Sequence, residues 1–287
     1  LRDAALHFVV VLNQIANAIG RVVLAPLGVI PDLPGAIVVA VVTGILMLTG
    51  FKYTSRQTTI KQVRDGIKAE LLALSLFRDS VAVNLKSQWQ IAQGAVQLIG
   101  LSMVPISCML IPVTLLLGQL SLWWQARPLQ VGENVVVTLA LNNDRSSAGQ
   151  DVLLQTPSDV EITQGPFKIR SKKEIAWQLQ AKSAGYHNLE FVVNGQSVTK
   201  ELAVGSNAMR VSIERPAWNL TDVLLHPAEA PFSSSSDVKS ISVQYPLETT
   251  WTHGRYAFLW FHSWLVFWFM GSTIAALCFR RVLKVNL

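Results

Sequence analysis

The chain has 287 residues, about half of them hydrophobic and only 15% charged, with a mean hydropathy of +0.37 and a formal net charge of +6. A soluble globular chain carries roughly 25% charged residues, so this balance excludes a disordered chain, a collagen, a coiled-coil rod and a disulfide scaffold. It is the composition of a membrane protein with a sizeable water-soluble part.

The first 32 residues read as an amphipathic segment. Within His7–Leu24, Val10, Asn13, Asn17 and Gly20 fall along one side of a helix, with Phe8, Leu12, Ile15, Ile19 and Val22 along the other. Pro26, Pro31 and Pro34 follow, which predicts an interfacial helix lying ahead of the first membrane span, the alternative being an N-terminal span made poor by its polar residues. A secretory leader is not expected from a stretch containing Asn13, Gln14 and Asn17, and a first residue Leu1 fits a processed form, a fragment or a non-standard start.

Three uncharged runs are long enough to cross about 30 Å of hydrocarbon: residues 33–51, residues 96–124 (within a predicted span of 91–124) and residues 256–279. The second contains Pro105 and Pro112 and ends in Trp123 and Trp124, at home at a membrane–water interface. Charge placement orients the spans. Residues 52–90 carry a net of +4, the tail 280–287 a net of +3, and residues 125–255 a net of −1, while residues 1–51 balance. The positive-inside rule then puts 52–90 and the C-terminal tail in the cytoplasm and the N-terminus and 125–255 outside, as expected for a multi-pass protein of a bacterial inner membrane. The basic residues flank spans instead of forming one patch, so a DNA partner is not expected.

In residues 52–90, Ile60, Val63, Ile67, Leu71 and Leu74 repeat as the seam of a short coiled coil, with Arg78-Asp79-Ser80 as a turn and Val81, Leu85, Gln88 and Ala92 on a returning arm. This predicts a cytoplasmic helical hairpin whose second arm runs into the second span. Its basic residues suit anionic lipid head groups or the ribosomal surface, or simply a solvated helix face.

Residues 125–205 read as an outer β-sandwich of the immunoglobulin-like kind, with strands at Glu133–Leu141, Asp151–Gln155, Glu174–Ala181, Tyr186–Val193 and Ser197–Val204. Turns are expected at Asn142-Asn143-Asp144, Gly165-Pro166, Ala184-Gly185 and Asn194-Gly195, the last a strong hairpin signal, and Trp177 is a candidate core residue. Residues 206–255 look less regular, with possible strands at Met209–Glu214 and Val238–Tyr245 and a serine tether at 233–236.

No catalytic or metal constellation is legible. The five histidines, His7, His187, His226, His253 and His262, are scattered, and Cys108 and Cys278 lie inside predicted spans. No enzyme, cofactor or metal site is expected. One polar feature inside the membrane region needs an account: Gln90, Gln93 and Gln97 fall at i, i+3 and i+7, with Ser102 deeper. An unpartnered amide in lipid costs several kcal/mol, so these residues should meet water in a cytoplasm-facing recess or bond to a neighbouring helix.

The passage GFKYTSRQTTIKQVRDGIKAELLALSLFRDS (50–80) and the Pro-interrupted MVPISCMLIPVTLLLGQLSLWW (103–124) together resemble the minimal three-span members of the YidC/Oxa insertase superfamily, such as the archaeal YidC-like proteins and the insertase subunit of the ER membrane protein complex. The resemblance covers residues 1–127 and 256–287. It implies a membrane insertase without covalent chemistry, in which Gln90, Gln93, Gln97 and Ser102 line a groove for client segments. Lys52, Arg56, Lys61, Arg64 and Lys68 would then meet the ribosome, lipid or the nascent client. The groove arginine of many bacterial relatives has no counterpart in these spans, and the outer insertion is foreign to the minimal members. The competing reading is a membrane-anchored scaffold whose outer β domain binds another envelope protein or a glycan.

Overall fold

The computed structural model describes residues 2–30, 32–77, 80–142, 152–248, 264–283 and 285. The chain divides into two compact units, Leu1–Gly35 with Thr114–Trp264 and Ala36–Val113 with Leu265–Leu287.

The helices are α1 (Arg2–Val23), α2 (Asp32–Thr54), α3 (Gln57–Leu76), α4 (Val81–Trp124), α5 (Leu220–Leu225) and α6 (Trp264–Phe279), with a 3-10 turn at Ala25–Gly28. Among the described residues, three segments suffice by length and composition to cross a membrane: Leu6–Val23, Leu33–Thr54 and Val81–Trp124. The first and second spans expected from the sequence fall on α2 and α4. Of the expected third, α6 supplies 16 residues, and 256–263 lie outside the described residues. The additional long apolar segment is α1, the expected interfacial helix.

In the mostly helical unit, small residues bring α2 and α6 together. A Cβ on Gly44 would lie 3.0 Å from the Ala275 Cβ and press on the Ser272 carbonyl, and one on Gly271 would lie 3.0 Å from the Ala40 Cβ. Close backbone approach through small side chains is how helices associate where the hydrophobic effect offers no preference for helix over lipid. The contact also holds a polar bond, since the Trp268 Nε1–H donates to Thr43 Oγ1 at 3.0 Å and Thr43 donates to the Ala40 carbonyl at 3.1 Å.

The returning arm of the hairpin does run unbroken into the second long apolar helix, as one 44-residue α4 that passes through Pro105 and Pro112. The face it turns inward differs from the expected one. Val81 and Leu85 are 72% and 62% exposed, and Gln88 and Ala92 are exposed too, whereas Ser87 is buried and Asn84, Ile91 and Gly94 are half-buried. A Cβ on Gly94 would lie 2.7 Å from Ile67 Cγ1 and 3.7 Å from Val63 Cγ1. Gly94 thus lets α3 close on α4, and the absence of a side chain overrides the seam suggested by bulkier residues one position away. On α3, Ile60 is buried and Val63, Ile67 and Leu74 are half-buried, but Leu71 is 52% exposed.

The β part of the other unit has eight described strands, all pairs antiparallel: β1 (Asn134–Leu141), β2 (Val152–Gln155), β3 (Val160–Ile169), β4 (Glu174–Ala181), β5 (Gly185–Val193), β6 (Gln196–Val204), β7 (Glu214–Arg215) and β8 (Val238–Val243). One sheet runs β3-β4-β1-β8-β7 and the other β2-β5-β6. Both contribute to one apolar core, with Val137, Leu139, Leu179 and Ile241 from the first and Leu189, Phe191, Leu202 and Val204 from the second fully buried. Trp177 meets Phe191 edge-on at 5.5 Å between ring centres. Alternation along each strand delivers these residues to one face. Asn194-Gly195 closes the β5–β6 hairpin with φ of +51° and +79°, the left-handed pair that a two-residue turn requires.

Three expectations are corrected. Gly165-Pro166 is no turn between strands but lies inside β3, where the pairing with β4 shifts register twice. β3 is an edge strand, the place where a proline and a bulge are tolerated. The possible strand at Val238–Tyr245, by contrast, is present as β8, which pairs between β1 and β7. Of the expected strand at Met209–Glu214 only Glu214 is in a strand, while 209–213 run irregularly. The serine run forms a turn, with Ser236 N donating to the Ser233 carbonyl at 3.0 Å and Asn142 Nδ2 to the Ser236 carbonyl at 3.0 Å.

Candidate functional site

Gln90, Gln93 and Gln97 share one flank of α4, as the spacing requires, and all three are exposed. They do not act alike. With its amide nitrogen turned toward α3, Gln90 donates to both Glu70 carboxylate oxygens, at 2.8 and 3.0 Å. Ser102 is half-buried and donates to the Leu98 carbonyl of its own helix at 2.9 Å, which satisfies its hydroxyl locally. Gln93 and Gln97 remain as amides presented outward one and two turns beyond the Gln90–Glu70 pair.

The basic residues predicted for partner contact lie at the end of α2 and along α3. Lys52 is half-buried, with its ammonium 6.0 Å from the Tyr53 ring centre. Arg56 precedes α3 and is exposed, as are Lys61 and Lys68, and Lys68 sits 3.6 Å from Asp65 one turn away. Arg64 is half-buried. An exposed ion pair such as Lys68 with Asp65 is worth at most about 1 kcal/mol.

A second polar cluster lies in the β-containing unit. Lys200 points inward from β6 with no exposure at all, and its ammonium donates to Glu229 Oε2 at 2.5 Å, to the Ser212 carbonyl at 2.6 Å and to Ser212 Oγ at 2.9 Å. Ser212 Oγ donates in turn to Glu229 Oε2 at 2.6 Å, and Glu229 Oε1 accepts from the Glu201 backbone N–H at 3.0 Å. Burial pushes the Lys200 ammonium below its ordinary range, against the pull of the Glu229 carboxylate. Burial, with Glu229 adding to it, raises Glu201.

This cluster adjoins α1. Asn13 Nδ2 donates to the Val223 carbonyl at 2.8 Å, and Asn17 Nδ2 to the Pro227 carbonyl at 2.6 Å. The Asn17 oxygen accepts from Gln119 Nε2 and from Arg210 Nη2, each at 2.8 Å. Gly20 leaves space for the Gln119 amide, which a Cβ would meet at 2.6 Å. The polar side of the predicted amphipathic helix is therefore satisfied by protein, while Phe8, Ile15, Ile19 and Val22 on the other side are more than half exposed.

The sequence carried signals for this cluster. Val198, Lys200, Leu202 and Val204 alternate on the inward face of β6, and a lysine in such a row demands a counter-charge. Asn13 and Asn17 stand one turn apart in an apolar helix. The counter-charge itself, Glu229, comes from an irregular segment that no periodicity marks.

A polar cleft of about 290 Å³ lies at the root of the β part, between Trp123, Arg127, Gln130, Asn207, Met209 and Glu248. Among the described residues no group of three or more His, Cys, Asp or Glu is placed to hold a metal, and His253 and His262 lie outside them. No protein-family model, no curated protein and no solved structure matches the chain.

Proposed function

We propose that the protein is a membrane insertase or insertion chaperone of the YidC/Oxa type. Hydrated side chains on the inner part of α4 receive the polar flank of a client, and the apolar segment of that client enters lipid alongside. The observation that carries this reading is the exposure of Gln93 and Gln97 where α4 passes from its polar head, residues 84–90, into its long apolar run, next to the α3–α4 hairpin. An amide left bare in hydrocarbon costs roughly 4–8 kcal/mol on cyclohexane scales, so the pair requires water or a polar client there. The exposed cations Arg56, Lys61 and Lys68 support a role for α3 in meeting anionic lipid, the ribosome or the client. Location in a bacterial inner membrane, with α1 and the β part outside and α3 in the cytoplasm, belongs to this proposal, as does an immunoglobulin-like classification of the two sheets.

The test replaces Gln93 and Gln97 together by Leu and measures insertion of short-tailed membrane proteins in depleted cells. Loss of insertion at normal expression is the expected result. Full insertion with unchanged or improved stability would discard the polar-flank mechanism. A second reading, an anchored scaffold for an envelope protein, draws support from the extensive bonding of α1 to the β-containing unit. It gains if depletion leaves every client unaffected while an envelope partner is lost from pull-downs.

A further inference from the structure

Outside the face that meets α3, α4 carries a second ordered surface. Leu85, Trp89, Ala92, Val96, Ile99 and Met103 follow one another at spacings of 4, 3, 4, 3 and 4, and all six are exposed, the five larger ones between 56% and 69%. At 100° per residue their mean direction lies roughly 140° round the helix from the stripe Asn84, Ser87, Ile91 and Gly94 that faces α3. The sequence thus writes a heptad seam at the head of α4, and α3 packs on a different face.

We infer that this seam is the contact with the α4 of a second copy of the chain, in a parallel two-stranded coil. Two arguments select a second copy over lipid or an unrelated chain. First, a strict 3.5-residue repeat serves a supercoiled helical neighbour, whereas a surface facing only lipid gains nothing from it, least of all at Leu85 and Trp89, where the flanking residues are polar. Second, the seam is self-complementary. With Trp89, Val96 and Met103 at the a positions and Leu85, Ala92 and Ile99 at the d positions, no seam residue is charged, and the bulk of Trp89 is followed by the small Ala92. The flanking pairs that face each other in a parallel coil are Gln88 with Gln93, Ala95 with Gly100 and Ser102 with Ser107. The first is an amide pair able to bond across the axis, and the other two are small enough for close approach. No like charges oppose one another. Copies inserted in the same orientation present their α4 helices parallel, as the coil requires. About 27 Å of helix separates Leu85 from Met103 at 1.5 Å per residue, enough for a continuous contact. Gln93, at an e position, is shared with the insertase reading, and Gln97, at a b position, is the amide the coil leaves open to a client; linkage and mass read the coil independently of insertion.

Cys108 supplies an internal control, because it lies at the f position of the same heptad frame, directed away from the axis, and is exposed. The full chain in native membranes is compared with an Ala92→Cys variant and an Ile99→Cys variant, both made after Cys108 and Cys278 are replaced by Ser. Disulfide-linked dimer is read on non-reducing gels, and mass is measured in lipid nanodiscs. Seam cysteines come within the Cα separation of about 4.4–6.8 Å that a disulfide needs. The expected result is a linked homodimer for both variants, background linkage for the parent chain through Cys108, and a dimeric mass before oxidation. A monomeric mass with no linkage, linkage to a different polypeptide, or equal linkage through Cys108 would each overturn the inference.

Discussion

Replacing Glu229 by Gln removes the carboxylate that holds Lys200, keeps the shape of the side chain, and leaves an ammonium with no solvent exposure bonded to neutral acceptors, the carbonyl and hydroxyl of Ser212 and the Glu201 carbonyl. Breaking a buried pair from one side costs roughly 3–5 kcal/mol. An independent bound agrees. Lys200 can escape by losing its proton, and holding a lysine of ordinary value 10.5 neutral at pH 7 costs about 5 kcal/mol at 1.36 kcal/mol per unit. Hydrogen exchange of the β6 amides in the full chain reads the opening free energy of that strand directly. The pH dependence has a definite sign. Burial already holds the folded-state value of Lys200 below its unfolded one, so the folded state binds fewer protons in that window and stability rises with pH up to about 10.5. In the variant the window widens downward, and the deficit shrinks as pH is raised, because a neutral amine needs no counter-charge. A Lys200→Met, Glu229→Gln double variant should recover most of the loss. A deficit for Glu229→Gln below about 1 kcal/mol, the worth of a surface pair, would refute the account.

Two further outcomes follow from close contacts. Gly44→Leu should force α2 from α6 through the Ser272 carbonyl and Ala275 at a cost of roughly 1–3 kcal/mol, visible as a lowered thermal midpoint in detergent, while Gly66→Leu, where no atom lies within 4 Å, should not. Asn17→Leu deletes bonds to Pro227, Gln119 and Arg210 and leaves the Arg210 guanidinium buried, so protection of α1 amides against exchange should fall by roughly 2–4 kcal/mol with β4 unaffected.

The strands most legible in the sequence are those whose two faces differ. Glu174–Ala181 matches β4 at both ends, and β1, β5 and β6 match within a residue, because each buries one face against the shared core. β3 was hidden by its position at the sheet edge: all residues from Glu161 to Ile169 are exposed, so no alternation marks it, and Gly165-Pro166 imitates a turn. The hairpin misled in the opposite way. Val81, Leu85 and Ala92 do form a periodic apolar row, but Gly94 offers α3 a closer approach, and a periodicity says which residues share a face without saying which neighbour takes it. Of the polar residues, the shared flank of Gln90, Gln93 and Gln97 was readable from spacing. The bond from Gln90 to Glu70 and the pairing of Lys200 with Glu229 depend on how separate segments come together.

The peptide enters and leaves the two sheets side by side. Ala126 and Leu247 form an antiparallel bridge, Arg127 N donates to the Pro246 carbonyl at 3.1 Å, Glu248 N donates to the Gln125 carbonyl at 3.3 Å, and the Arg127 guanidinium grips the Glu133 carboxylate with two bonds of 2.9 and 2.8 Å. Such a paired stem fixes the two ends of residues 128–246 against each other, and Asn13 and Asn17 moor the interior of that stretch a second time at Val223, Pro227 and Arg210, so it is clamped at both its root and its flank.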